Sequence, residues 1–372
     1  MTPAKHKFQE TIMKFGYFIM PLHQPPYNQT QTLDDDLEQI TMLDQLGYEE
    51  AWIGEHFTAE WENIPSPELF IARALGVTNN IFLGTAVTNL INHNPFSIAH
   101  RIALLDHLAH GRLYWGIGSG GFPGDLEAAG FDPKTGEHRK TTRDSIDLIL
   151  KLWQDPKPGL YKHKHWEFTV PEPDESIGLR FHLKPFQDPH PPIVVAGTSP
   201  NSATLSIAGE RGWFPMSGSN IHQSILPSHW TSFEQGAEKG KKTANRSDWR
   251  ITREIYVSET SAQARQEALD GILAHDFNHY WLKLLSKSNS LERLRNTSEM
   301  PLSEITAEYM VDNVWIVGSP KEVAEKIRQL YIDVGGFGVL VNVGHEWKPK
   351  DPWIRSMRLL KEEVGSMLTD LT

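Results

Sequence analysis

The stretch Arg112-Leu-Tyr-Trp-Gly-Ile-Gly-Ser-Gly-Gly-Phe-Pro-Gly-Asp125 decides how the rest of the chain is read. Its core, Gly116-Ile-Gly-Ser-Gly-Gly121, follows a β-like run and satisfies G-x-G-x-x-G, the pattern that seats a dinucleotide pyrophosphate on a helix N-terminus. That fold needs a long helix directly after the glycines, in the first strand–helix unit. Here Phe122-Pro-Gly-Asp125 follows instead, and three strand–helix units come first. The glycines therefore read as a strand end that lets backbone approach a flat ligand, or as a tight turn and nothing more.

Outward from this stretch the same grammar repeats. Met13–Met20 (MKFGYFIM) reads as a buried strand, and Leu33, Leu37, Ile40, Leu43 and Leu46 follow near helical spacing. Ala51–Gly54 precedes a helix over Pro67–Leu75, Ile81–Leu90 one over Pro95–Ala109, and Arg112–Gly118 one over Asp144–Trp153. Pro192–Ala196 leads to a helix from Pro200 to Gly209, and strands follow at Trp213–Met216, Ile251–Val257 and Gly338–Val343. Alternation of this kind implies a parallel sheet covered by helices, and eight units close into a (β/α)8 TIM barrel; an open doubly wound sheet is the competitor. Two segments break the rhythm, about 155–192 and 260–314. They are expected as loop insertions in a single domain over 1–372, where lids and substrate walls arise.

Composition narrows the function classes. The 372 residues carry 36 basic and 47 acidic side chains, a net charge of −11, with no basic run for a phosphate backbone. No nucleic-acid partner is expected. Zero cysteines exclude disulfides, thiolate metal sites and a cysteine nucleophile. The start Met1–Thr11 is polar and no apolar run reaches a membrane span, so a soluble, cytoplasmic protein is expected. His163-Lys-His165 alternates like metal ligands but lacks a third ligand, and no metal site is expected. Asp34-Asp-Asp36 is expected in the first turn of its helix, serving the dipole.

Two further features carry chemistry. Trp52-Ile-Gly-Glu-His56 ends a strand on His56, at the end of a barrel where function gathers. The bland reading is a histidine on the rim. In Val194-Val-Ala-Gly-Thr-Ser-Pro-Asn-Ser202 a strand enters a glycine turn, with Ser199 at an N-cap and Pro200 at the first helical position. Such a helix start is an anion site needing no lysine, or simply a well-capped helix.

Taken together these stretches resemble the bacterial luciferase-like flavin-dependent monooxygenases nearly end to end, from Met13-Lys-Phe-Gly-Tyr-Phe18 and Gln24-Pro-Pro26 onward. Within that family, Glu55-His-Phe-Thr58, Trp61-Glu-Asn-Ile-Pro-Ser-Pro-Glu-Leu69, Leu105-Asp-His-Leu108 with Gly111-Arg112, and Gly344-His-Glu-Trp347 are most similar to the limonene and diketocamphane monooxygenase branch. The resemblance implies one barrel that takes reduced FMN (FMNH2) from a separate NAD(P)H-dependent flavin reductase. Reaction with O2 gives a flavin C4a-peroxide, which oxygenates a hydrophobic ketone, aldehyde or terpene. It also implies a homodimer.

By position the resemblance assigns His56 as the catalytic group handling that intermediate. Thr85, Ala86 and Val87 lie under the flavin with a cis bond between Ala86 and Val87, and Gly118, Ser119 and Gly120 lie beside it. Gly197, Thr198 and Ser199 form the phosphate loop. Where luciferase has an arginine and a glutamate at the phosphate, this chain has Ser119 and Gly197, which leaves backbone N–H groups with Arg139 or Arg143 as helpers. Gly118 replaces a cysteine and is expected to leave room beside the ring. The substrate pocket is expected from His23, Trp61, Glu62, Asn63 and His345. Two alternatives stay open: deazaflavin-dependent hydride transfer, and a flavin-binding barrel without turnover.

Overall fold

Buried, β-branched runs such as Val339-Leu-Val-Asn-Val343 can be covered on both faces only in a parallel sheet wrapped by helices. A computed structural model describes residues 13–371, and in it eight such runs close into a parallel barrel in sequential order. The strands are β1 (Lys14–Ile19), β2 (Glu50–Ile53), β3 (Phe82–Asn89) and β4 (Leu113–Gly118), then β5 (Ile193–Gly197), β6 (Phe214–Ser217), β7 (Arg250–Arg253) and β8 (Val339–Val343). Closure is made by β1 against β8, with Lys14 opposite Val339 and Phe18 opposite Val343. The polar start Met1–Thr11 lies outside the described residues.

One end of the barrel is sealed by charge. Glu50 opens β2 and Arg250 opens β7; their buried side chains pair at 3.1 Å, with the guanidinium 4.9 Å from the Tyr114 ring. Removing one partner of such a pair typically costs about 3–5 kcal/mol. Trp52, Val194, Met216, Val339 and Val341 pack the interior against Phe18 and Ala86, which leaves the C-terminal strand ends as the open face.

Three expected elements are corrected. Ile251–Val257 is not one strand: β7 stops at Arg253, and Ile255–Val257 leaves the barrel to pair in parallel with Ile316–Gly318. The break is stabilised where Asn342 Oδ1 accepts the Ile255 amide at 2.8 Å. The helix expected from Pro200 begins at Ala203, because Ser202 rather than Ser199 caps it by accepting the Leu205 amide. The first helix begins at Gln29 under an Asn28 cap, so Asp34–Asp36 fall beyond its first turn, and buried Asp36 pairs with His23 instead.

The interruptions of the rhythm also take shape. The first holds an antiparallel hairpin, Gly159–Lys162 with Glu167–Val170. His163 and His165 sit in its turn, facing Asp144 and Glu137. The second is largely helical, with Ser261–Asp270, Ile272–Asp276 and Leu282–Lys287 preceding Ala307–Asn313. No helix among the described residues is long and apolar enough to cross a membrane.

Candidate active site

Loops after the strands enclose a cavity of about 360 Å3, within the usual range for small-molecule sites. Its wall is mostly apolar. Phe18 from β1, Ala86 and Val87 from β3, Phe122 after β4, and Trp281, Leu284 and Leu285 from the second insertion supply it. Polar residues enter at a few points: Glu55, His56 and Glu62, Asn89, Thr198, Asn220, Ser290 and Arg293. Ala86 and Val87 reach the cavity because the β3–β4 register shifts between Thr85 and Thr88, an irregularity of the kind that re-aims side chains. The Ala86–Val87 peptide bond is cis.

His56 is held by two carboxylates. Its Nδ1 donates to Asp125 Oδ2 at 2.9 Å, and its Nε2 lies 3.5 Å from Glu62 Oε2. Asp125 comes from the short helix Pro123–Ala128 immediately after the glycine stretch, and Glu62 from the loop after β2. Burial alone would lower the His56 pKa, but Glu62, the hydrogen bond to Asp125 and the charge of Glu55 together raise it above the usual imidazole value. Glu62 is itself braced: the Tyr280 hydroxyl donates to its Oε1, and Tyr280 stacks on Trp61 at 5.3 Å. A partly exposed imidazolium with fixed orientation can donate a proton, or a hydrogen bond, to a ligand oxygen in the cavity.

Neighbouring Glu55, also on the cavity wall, spends its buried carboxylate on the protein. It accepts from Asn92, from the Nε2 of His93 and from the Asn89 amide, while Asn89 Oδ1 accepts the amide of Gly120. These bonds lock the ends of β2, β3 and β4 together around the cavity mouth.

The sequence profile of the luciferase-like monooxygenases matches residues 13–336. The chain belongs to this family. It is 33% identical to 4-hydroxyprotoasukamycin monooxygenase of Streptomyces nodosus subsp. asukaensis, over 95% of this chain and 91% of that one. With 2,5-diketocamphane 1,2-monooxygenase 2 of Pseudomonas putida the identity is 30%, over 95% and 98%. The oxygenating constituent of 3,6-diketocamphane monooxygenase from the same organism, a type II Baeyer–Villiger monooxygenase solved with FMN, superposes with a TM-score of 0.88 at 29% identity, covering 95% and 98%. The chain is accordingly an enzyme of the monooxygenase type.

Within this luciferase-like barrel, His56, Glu62, Ala86, Val87 and Thr198 are brought together on the cavity wall. Other expected residues are not. Buried Thr85 donates to the Gly116 carbonyl at 2.7 Å inside the barrel wall. Gly118 does not make room: a Cβ there would lie 2.3 Å from Val87 Cγ2, so the glycine exists to let Val87 pack. Gly116 would meet the Thr85 carbonyl, and Gly120 adopts a positive φ of 73°. Gly118, Ser119 and Gly120 are not on the cavity wall, whereas Gly121 and Phe122, next along the chain, are. Gly197 packs against Ser202 and Leu205, while the Ser199 carbonyl accepts from His229 at 2.9 Å.

The expected pocket residues separate in the same way. Trp61 stands one layer back, against Tyr280. His23 is buried on Asp36, and Asn63 donates to Thr32. His345 lies outside the cavity, fully buried between Asp276 (2.8 Å) and Glu254 (2.7 Å), and its ring stacks on Trp353. Arg139 and Arg143 are exposed and absent from the cavity wall. Sequence reasoning missed Asp125, Tyr280 and Arg293. Asp125 closes the glycine stretch, but nothing in sequence joins it to His56; Tyr280 lies in the aromatic-rich run Phe277-Asn-His-Tyr-Trp281, which marks the insertion as a wall without singling out the tyrosine, and no local pattern marks Arg293.

Proposed function

We propose that this chain is the oxygenating component of a two-component monooxygenase, using FMN reduced by a separate NAD(P)H-dependent flavin reductase and O2 to oxygenate a hydrophobic small molecule. The observation that carries this reading is a partly exposed histidine set between two carboxylates on the wall of a mostly apolar cavity. The FMN carried by the Pseudomonas putida structure and the activities named for the relatives support it.

The residues present fit FMN. Ala86 and Val87 offer an apolar face, while Thr198 and Arg293 offer a hydroxyl and a guanidinium that has no carboxylate partner among the described residues. Reduced FMN supplies the electrons that let one oxygen atom of O2 enter the substrate while the other leaves as water. The protein's share is positioning and exclusion of water. Phe18, Phe122, Trp281 and Leu285 keep the cavity dry, and His56 keeps a proton on Nε2, where it can bond the substrate oxygen. Two copies would pair through the helices Pro67–Leu75 and Pro95–Leu108, whose outer faces expose Leu69, Leu104 and Leu108.

The test supplies chemically reduced FMN and 18O2 to the purified protein, with 2,5-diketocamphane and limonene as probes. One 18O atom in a product is the expected result. Release of all label as water or hydrogen peroxide with both probes, while flavin binds, would overturn the reading. The protein alone should not reduce FMN with NADH or NADPH; if it does, the two-component assignment fails.

A further inference from the structure

One corner of the cavity is electrostatically at odds with an acidic chain. Arg293 lies on the turn Leu291–Leu294 of the second insertion, anchored by buried Leu291 and Leu294 and by its own carbonyl, which accepts the His222 amide at 2.7 Å. Its guanidinium lines the cavity and donates from Nη1 to Thr198 Oγ1 at 3.2 Å. That hydroxyl is its side chain's single hydrogen-bond partner among the described residues, and it forms no ion pair among them. A guanidinium carries five N–H donors, so most of its capacity faces the cavity unused.

A second, independent cation, outside the cavity wall, adjoins the same loop through Gly218. Arg253 ends β7 and is 2% exposed; its Nη1 donates to the carbonyls of Thr252 and Gly218, and its buried Nη2 has no partner among the described residues. Gly218 in turn packs so tightly on Thr198 that a Cβ there would sit 2.8 Å from Thr198 Cγ2. Two guanidiniums thus flank the Thr198–Gly218 junction, and among the described residues neither has a carboxylate within ion-pair distance. In a chain of net charge −11 whose other arginines are widely paired, such a corner is built for an anion.

We propose that Arg293 is the cation that receives the phosphate of FMN, so that the phosphate is gripped from the insertion as well as from the strand-end loop. This rests on the FMN reading above. Arg293 is the donor, Thr198 positions it, and Arg253 adds positive potential from the far side of the Gly218 loop.

The experiment is a titration with FMN and with riboflavin, which lacks the phosphate, followed by flavin fluorescence in the wild type, Arg293→Ala and Arg293→Lys. The wild type should prefer FMN by about tenfold or more, the scale of a charge-assisted hydrogen bond. Arg293→Ala should lose that preference, with riboflavin affinity unchanged within about twofold, and Arg293→Lys should keep part of it. The inference is overturned if Arg293→Ala retains the wild-type ratio, or if both flavins weaken equally, which would mark Arg293 as a wall residue only. Binding of neither flavin by the wild type would defeat the FMN reading itself, and the inference with it.

Discussion

Asp125 holds both the ring of His56 and the loop that carries it. Its Oδ2 accepts from His56 Nδ1 at 2.9 Å, while Oδ1 accepts the amides of Phe57 and Thr58 at 3.1 and 2.8 Å and the Thr58 hydroxyl at 2.6 Å. One carboxylate therefore fixes the tautomer and the approach of the imidazole. His56→Ala should lower product formation by roughly 10²–10⁴-fold, the range for a lost acid–base group, with flavin binding intact. Asp125→Asn keeps an acceptor for the loop but withdraws the charge behind the ring, and should cost about tenfold or more. Unchanged turnover in His56→Ala would remove the histidine from the chemistry.

The pH profile follows from the same cluster. Against the effect of burial, Glu62 and then Asp125 hold the His56 pKa above its ordinary value. A histidine with a raised folded pKa is fully protonated at low pH and loses its proton, with its contribution to stability and to proton donation, as pH climbs through the raised value. Turnover should therefore fall on the alkaline side. Glu62→Gln should move that falling limb to lower pH, and Tyr280→Phe, which frees one Glu62 oxygen, should move it much less. A limb that stays in place in Glu62→Gln assigns it to another group.

His345 should act on stability and not on chemistry. Burial alone would keep it neutral, but Glu254 and Asp276 raise its pKa to about 10. The stabilisation is fully present below the ordinary histidine range and is lost as pH rises toward 10. Thermal melts should show the wild type losing stability between about pH 7 and 10, while His345→Gln starts lower and varies less. At neutral pH the substitution leaves two buried carboxylates without their cation, a loss of about 3–5 kcal/mol. Equal alkaline slopes in both proteins would count against a charged His345.

Gly118 offers a packing test. Gly118→Ala places a methyl 2.3 Å from Val87 Cγ2, and overpacking of this kind costs about 1–3 kcal/mol. Val87→Ala in the same chain should restore most of the loss, measured as a double-mutant cycle in denaturant. Additive effects would mean that the two side chains do not meet.

Much of this was legible in one dimension. The alternation of apolar runs with helical spacing specified a parallel sheet of eight strand–helix units, because strand burial on both faces leaves a local signature; that the sheet closes rather than staying open is decided by the pairing of the first strand with the last. His56 was legible as a strand-end histidine. Ile251–Val257 misled because a continuous apolar run looks the same whether it stays in one sheet or crosses into another. Gly118 misled because a glycine that opens space and a glycine that accepts a neighbour are written with the same letter.

Composition, periodicity and the glycine stretch by themselves determined the fold class, the end of the barrel that carries the site, and the chemistry excluded by the absence of cysteine. Only the tertiary structure decided which side chains share the cavity. Tyr280 meets Glu62 across 218 residues of sequence, and Arg293 meets Thr198 across 95. Such partners are chosen by how the second insertion folds back over the strand ends. No local pattern encodes that, because each side chain's own neighbourhood would be equally satisfied facing solvent.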